Sequence, residues 1–508
     1  MTPGALLRPK TLAIAIGLGA IGLAHGQATT GSIFGQAPVA SGETVVIKSA
    51  SGFTREVQID GSGRYSIASL PLSSYTVTLM RDGKAVDSRS DVTLKVGTGT
   101  EVSFVAASAD AKNLGTVTVT GNRLPAIDVT SVDSRTIITS QQLNSLPLGR
   151  SAEAIALLAP GAVGGYSGFT GPTGNALVSF AGSSVTENAY YLNGFNTTDP
   201  LSGFGGITLP YGAIDQQEIL SGGYGAAYGR SDGGVISQVG KRGSNDWHFG
   251  ALVQWTPRFA KGDVGDSYYV SGSKAGKIYD RNANDKDWET TESAYVGGPI
   301  IKDKLYFFAA VEGAKDRGNS IGSVTNSYNT KYEDHDPKWY AKIDWNINES
   351  NILELTGASN KTESSGAHYN YDYATGATGS FHDYATSTKT AADIHVLKYT
   401  SYITDDLTVS LLYGKQKIRY YSQIHGYDPT YPYINGKENE NPAITGGSLV
   451  TNSQTVTTFN NPDHRSTNTN LRFDVTYKLG DHIITAGIDN QDSHDVDDGT
   501  STSGPGYQ

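Results

Sequence analysis

The sequence predicts a mainly β protein: a small N-terminal β-sandwich, then a mixed α/β globule, then an antiparallel wall of strands that crosses a membrane. Three observations carry this. Glycine (61) and tyrosine (30) are abundant among the 508 residues, which favours strands, turns and interfacial aromatics over helices. The second half alternates apolar with polar residues in run after run, and short connections alternate with long ones. The chain opens with Arg8 and Lys10, an apolar run from Thr11 to Ala24 and no carboxylate before Glu43.

That opening reads as a signal peptide over residues 1–26, because the apolar run is short and ends in small residues around Ala24-His25-Gly26. The mature chain therefore leaves the cytoplasm. No later run approaches the ~20 apolar residues of a membrane helix, so membrane residence requires a barrel. The absence of cysteine excludes disulfides and thiolate metal sites, and a net charge of −11 argues against nucleic acid as a partner.

Residues 29–106 alternate short β-rich runs with turns, as in Val45-Val46-Ile47, Tyr65-Ser66-Ile67 and Tyr75-Thr76-Val77-Thr78-Leu79, which suits a small β-sandwich. Residues 107–115 are small and polar and read as a linker. The stretch Thr116-Val117-Thr118-Val119-Thr120 is an extended strand with one branched apolar face and one hydroxyl face. Such a strand can add to the edge of another protein's sheet, or simply begin the following domain.

Up to residue 245 the pattern is mixed. Ser151 caps a short helix with Glu153 in its first turn, closed by Pro160-Gly161. Two glycine-rich stretches, 164–174 and 193–212, read as exposed loops.

From 247 to 490 nine runs alternate: 247–256, 292–299, 304–313, 339–347, 352–359, 391–403, 407–420, 468–478 and 482–490. In Trp339, Ala341, Ile343, Trp345 and Ile347 the odd positions are apolar, and Lys342, Asp344 and Asn346 stand between them. A soluble β-sandwich also alternates, but the connections decide. Those at 300–303, 348–351, 404–406 and 479–481 are short, and those at 257–291, 314–338, 361–390 and 421–466 are long, the signature of tight periplasmic turns and long outward loops. Trp255, Tyr306, Phe307, Trp339 and Tyr477, near run ends, suit interfacial girdles.

Two resemblances add to this reading. Asp60-Gly61-Ser62-Gly63-Arg64-Tyr65, with Leu70 and Tyr75, resembles the regulatory-like domain named from carboxypeptidases, which implies a prealbumin-like sandwich and a structural or docking role. Leu114-Gly115-Thr116-Val117-Thr118-Val119-Thr120-Gly121-Asn122-Arg123 is similar to the TonB box of TonB-dependent receptors of the outer membrane, most closely the Oar-like (OmpA-related) group. The stretches Ala159-Pro160-Gly161, Asn188-Ala189-Tyr190-Tyr191-Leu192-Asn193-Gly194 and Ala227-Tyr228-Gly229-Arg230-Ser231-Asp232-Gly233-Gly234-Val235 resemble that family's plug motifs. Gly297-Gly298-Pro299-Ile300-Ile301-Lys302-Asp303-Lys304-Leu305-Tyr306-Phe307-Phe308 resembles its second and third barrel strands. Asn193 stands where the family pattern has Asp, and Lys241-Arg242-Gly243-Ser244-Asn245 approximates the usual exit from the plug.

The resemblance implies a TonB box and mixed α/β plug over 116–245 and an antiparallel transmembrane β-barrel from 246 to 508, C-terminally incomplete, with nine strands of an expected 22 or so. A barrel of eight to ten strands has no room for such a plug, so the sequence reads as truncated or as the product of a split gene. It further implies energy-coupled uptake of a scarce peptide, protein or glycan at the outer membrane of a Gram-negative bacterium, with TonB, membrane lipid and an extracellular solute as partners, no cofactor and no catalysis. The alternatives are an adhesin or structural outer-membrane protein and a passive porin. Tyr166, Phe169, Phe204, Tyr369, Tyr371, Tyr427 and Tyr431 are candidate ligand contacts, as stacking surfaces for sugars or peptides or as loop packing. Asp489, Asp492, Asp495, Asp497 and Asp498 are either a solvated loop or a calcium site without EF-hand spacing.

Overall fold

A computed structural model of the chain describes residues 29–39, 42–104, 133–146, 151–164, 177–229, 231–262, 264–423, 441–447, 458–460, 464–480, 482–496 and 500–502. The signal peptide, the linker, the box strand Thr116–Thr120 and the candidates Tyr166, Phe169, Tyr427 and Tyr431 lie outside the described residues.

The N-terminal part folds as two facing sheets. Strands β1 (Thr30–Gln36), β4 (Arg64–Pro71) and β7 (Gly99–Glu101) form one, in the order β4-β1-β7. Strands β2 (Glu43–Ser49), β3 (Thr54–Gln58), β5 (Ser74–Arg81) and β6 (Lys84–Thr93) form the other, in the order β3-β2-β5-β6. Their alternate residues meet in a core around Ile33, Val45, Ile47, Ile67, Tyr75 and Val77. The Asp60 turn closes on itself: its carboxylate accepts from the Ser62 hydroxyl at 2.6 Å and the Arg64 amide at 2.9 Å.

The globule is built on a five-stranded sheet, order β12-β11-β14-β13-β8, from β8 (Ser134–Thr139), β11 (Ala189–Leu192), β12 (Phe195–Asn196), β13 (Ile214–Gly222) and β14 (Val235–Gly240). Beside it lie a hairpin of β9 (Ala162–Gly164) and β10 (Val178–Phe180) and two short helices, α1 (Ser140–Ser145) and α2 (Ala152–Ala156). Ser151 caps α2 as its sequence suggests, accepting from the Ala154 amide at 3.1 Å. Ile155, Val178, Phe180, Tyr190, Ile219 and Ile236 form the core.

The third part is one antiparallel nine-stranded sheet: β15 (His248–Thr256), β18 (Lys286–Ile301), β19 (Leu305–Ile321), β20 (Tyr328–Asn348), β21 (Asn351–Asp372), β22 (Ala377–Tyr402), β23 (Leu407–Gln423), β25 (Arg465–Leu479) and β26 (His482–Val496), paired in that order. Small pieces occupy its long connections: β16 (Ser267–Tyr268), β17 (Ile278–Asp280), α3 (Pro442–Thr445) and β24 (Thr458–Asn460), with β27 (Thr500–Thr502) beyond β26.

The orientation of this wall inverts that of a soluble sheet. Along β20, Trp339, Ile343, Trp345 and Ile347 are 40 to 45% exposed, whereas Tyr340, Lys342, Asp344 and Asn346 are almost wholly buried. Phe249, Val311, Leu355, Leu411, Leu471 and Ile488 share the exposed side across the wall. Register explains it: Phe307, Ile343 and Leu355 pair directly and share one face, and their polar neighbours share the other. The apolar stretch of β20 from Trp339 to Ile347 matches the ~9–11 residues a tilted strand needs to cross a bilayer.

Three features depart from the sequence reading. Residues 314–338 and 361–390 are mostly strand, with turns only between Ile321 and Tyr328 and between Asp372 and Ala377. The hairpins continue far past the bilayer, where neither face contacts lipid and apolar alternation is no longer required. Residues 193–199, read as an exposed loop, are buried, because the polar inner wall satisfies their polar groups. Tyr306, assigned to a girdle, is fully buried, since it has the opposite parity to Phe307 and its hydroxyl reaches Asn245 Oδ1 at 3.2 Å.

Candidate functional site

The globule sits against the hydrophilic face of the wall, and side chains of opposite charge join the two. Arg242, just past β14, lies 2.7 Å from Asp344 and 3.8 Å from Glu354. Lys342 lies 2.8 Å from the same Glu354, and Lys398 lies 3.7 Å from it. Three cations and two carboxylates thus pack with little solvent access where the globule's last strand leaves for the wall. Isolated buried charges would be expensive; here each carboxylate has cationic neighbours.

Asn193 occupies the tight turn between β11 and β12 with φ of +50°, a conformation asparagine tolerates better than most residues. Its amide donates to the Tyr340 hydroxyl at 3.2 Å and to Thr356 Oγ1 at 3.0 Å, and its oxygen accepts from the Gly240 amide at 2.9 Å. Asparagine supplies both donors and acceptor, where an aspartate would only accept. Gly414 matters for its lack of a side chain: a Cβ there would run into the ring of Phe195.

At the end bearing the short turns, the N-terminal sandwich closes over both the globule and the wall. Gln216 on β13 accepts from the Val96 amide at 2.9 Å and donates to the Leu94 carbonyl at 2.8 Å, a two-point clamp on the segment before β7. Arg55 pairs with Asp405 at 3.0 Å and lies over the Tyr402 ring. The Tyr402 hydroxyl donates to the Ser69 carbonyl at 2.7 Å, and Asn346 donates to the Ser51 carbonyl at 2.9 Å. Val239 and Ile352 join the same buried cluster as the sandwich core.

Next to the clamp stands a poorly satisfied charge. Glu218 on β13 is fully buried, with Arg135 Nη1 3.1 Å from its Oε1. That guanidinium spends its hydrogens elsewhere: Nη1 donates to the Gly97 carbonyl and Nη2 to Asp133 at 2.6 Å. Neither Glu218 oxygen makes a hydrogen bond among the described residues. Burial therefore pushes its carboxyl up to about 7, against the opposing pull of Arg135.

At the opposite end of the globule, the Asp199 turn accepts from the Leu201 and Ser202 amides, both at 3.1 Å, and from the Tyr420 hydroxyl of the wall. Phe204 lies in this turn, half-buried, its carbonyl accepting from the Asp199 amide. Tyr371 is buried on β21, bonded to Asn284 at 2.8 Å and packed on Tyr373. Tyr369 stands two residues earlier on the same strand with Lys331 over its ring. The structure thus sets Phe204 on the globule and the two tyrosines on the far hairpin. Among the described residues no three acidic or histidine side chains converge to hold a metal ion.

The sequence reading put Lys342 and Asp344 on the polar face of their run and Lys241-Arg242 at the end of the globule, but it did not bring them together as a cluster and did not identify the sandwich clamp.

Comparison with known proteins adds independent findings. Residues 31–107 match the carboxypeptidase regulatory-like domain family, and residues 128–236 match the TonB-dependent receptor plug domain family. The TonB-dependent transporter Oar of Myxococcus xanthus is 29% identical over 318 residues, covering 60% of this chain and 28% of that protein. The chain therefore spans less than a third of the length of this relative. Among solved structures, FpvA of P. aeruginosa bound to heterologous pyoverdines aligns over 73% of this chain and 53% of its own, at 12% identity and a TM-score of 0.44. The outer membrane transporter YddB from Escherichia coli aligns over 73% and 58%, at 12% identity and a TM-score of 0.41.

Proposed function

We propose that the chain is a TonB-dependent receptor of the Oar-like type in the Gram-negative outer membrane and takes up a scarce extracellular solute using energy delivered by TonB. The two matched domain families and the likeness to the Oar transporter support this reading. The solute, a peptide, protein or glycan, is what the resemblance implies, and the aromatic residues named above are its candidate contacts. The observation that carries the reading is the folded globule held against the hydrophilic side of a lipid-facing wall, an arrangement that blocks free diffusion and so requires work to open.

In this reading TonB adds its own strand to Thr116–Thr120. Backbone hydrogen bonds give the pairing its strength, and Val117 and Val119 give it side-chain fit. The segment joins the sandwich to β8, so a pull on it reaches β8 first and, through β13, the Gln216 clamp. The sandwich must then release Leu94 and Val96 or move with the globule.

The test is binding of a purified periplasmic TonB domain to the full chain in detergent. Binding lost on deletion of 116–120 and on Val119→Pro supports the reading; binding that survives both rejects it.

A further inference from the structure

A cavity of about 300 Å³ lies between the sandwich, the globule and the wall. Strands β1 and β4 bound it on the sandwich side, the Asn193-Gly194 turn bounds it on the globule, and β22, β23, β25 and β26 form its remaining side.

Strand register fixes what the wall offers. One row sets Lys398 beside Leu412 and Leu412 beside Arg472, so the backbones of the two cations stand about 9–10 Å apart. The next row toward the short turns holds Thr400, Ser410 and Asp474, and the one after it Thr408, Thr476 and Thr485. On the facing sandwich, Ile33 and Ile67 fill the core, so their neighbours Ser32, Phe34, Ser66 and Ala68 turn to the cavity. Eleven of the 24 lining residues are serine or threonine, and a solute there meets groups that both donate and accept. Among the described residues the hydroxyls of Ser32, Ser66, Thr400, Thr408 and Ser410 make no hydrogen bond within the chain.

Arg472 supplies the free charge. It is 5% exposed, and its Nε donates to Asp474 at 2.7 Å. Its two Nη groups have no partner among the described residues. Lys398, by contrast, is held by Thr29 and lies 3.7 Å from Glu354. A second cavity, of about 700 Å³ between β26 and Ala226, Ala227 and Gly229 of the globule, shares Arg472, Asp474 and Thr485 with the first. Arg472 thus stands where a path along the globule reaches the chamber under the sandwich.

We propose that this chamber binds a uronic acid unit of the transported solute, with its carboxylate on the Arg472 fork and its hydroxyls on the surrounding serines and threonines. Arginine matches a carboxylate through paired donors. The volume lies at the small end of small-molecule sites and suits about one or two sugar rings, not a folded protein. A peptide of that size brings apolar or cationic side chains to a lining that is mostly hydroxyl with a guanidinium free. The proposal rests on the uptake reading and selects a glycan among its solute classes.

The test titrates digalacturonate, and maltose as its uncharged counterpart, into the full chain in detergent by calorimetry. The expected result is saturable binding of digalacturonate, about tenfold or more tighter than maltose, weakened about ten- to a hundredfold in R472Q. The variant S66F puts a ring into the chamber from the sandwich and should abolish binding. Because Ser66 belongs to the sandwich, that loss also separates the chamber from any site on the far hairpins. No saturable binding by the wild type, equal affinity for maltose, an unweakened R472Q, or an S66F that binds as the wild type would each overturn the proposal. Should R472Q fail to fold once Asp474 loses its partner, R472K keeps the charge without the fork and should weaken binding in the same direction. Preserved resistance of the wall to trypsin verifies folding in each case. Binding of the TonB domain needs none of these residues, so a chain that binds that domain but not digalacturonate loses this proposal and keeps the uptake reading.

Discussion

Substituting Arg135 by methionine removes the cation that lies 3.1 Å from a fully buried Glu218 and, with it, the donor to the Gly97 carbonyl. Breaking a buried pair from one side costs about 3–5 kcal/mol, because the remaining charge has no compensation. Replacing Glu218 by glutamine should cost far less, since the carboxyl titrates near 7 and is already half protonated at neutral pH. Its pKa is raised from about 4.5, so its stabilising contribution is full below pH 4.5 and is lost as pH rises through 7. The change amounts to roughly 3 kcal/mol at 1.36 kcal/mol per unit. Hydrogen exchange of the β13 amides in the full chain reads this locally. After correction for intrinsic exchange, protection in the wild type should fall by about a hundredfold between pH 5 and 8, and in E218Q it should stay level. R135M should lose a further two orders of magnitude or more at pH 8, and R135M/E218Q should recover most of that loss. If E218Q loosened β13 as much as R135M, or if the wild type showed no pH dependence, the assignment of an undersatisfied charge at the clamp would be refuted.

Two further outcomes follow from the docked sandwich and the lipid-facing wall. The chain has no native cysteine, so a bis-maleimide bridge between R55C and D405C would tie the sandwich to the wall; uptake should stop with the bridge and persist with either single variant, and uptake unaffected by the bridge would show that the sandwich need not leave. Ile343→Arg puts a charge on the lipid face and should destabilise the wall by about 2–4 kcal/mol, measured by equilibrium unfolding in vesicles, whereas a null effect would place Ile343 outside the bilayer.

The wall was legible in the sequence because lipid on one side and polar surfaces on the other enforce a period of two. Each of the nine runs, including Trp339 to Ile347, lies on a strand of the sheet. Above the bilayer that constraint ends, and strands such as the upper half of β21, from Lys361 to Asp372, are polar on both faces and look like loops. Short-turn and long-turn sides were distinguishable because turns such as Asp303 are only a few residues long. The plug contacts were not legible, since Asn193, Asp199 and the wall residue Gln416, which donates to the Thr197 carbonyl at 3.2 Å, are polar residues whose burial depends on a partner surface far away in sequence. Nor was the clamp, in which Gln216 bonds backbone atoms of residues 94 and 96 that carry no side-chain signal.

The orientation of the wall is tested most directly by single cysteines along β20 in outer-membrane vesicles, at 339, 341, 343 and 345 and at 340, 342, 344 and 346. Fluorophores at the odd positions should be quenched by a quencher dissolved in the lipid chains and should escape one dissolved in water. The even positions should escape the lipid quencher. Equal quenching of both sets from water, or lipid quenching at the even set, would contradict a wall that turns its tryptophans to lipid and its charges to the plug.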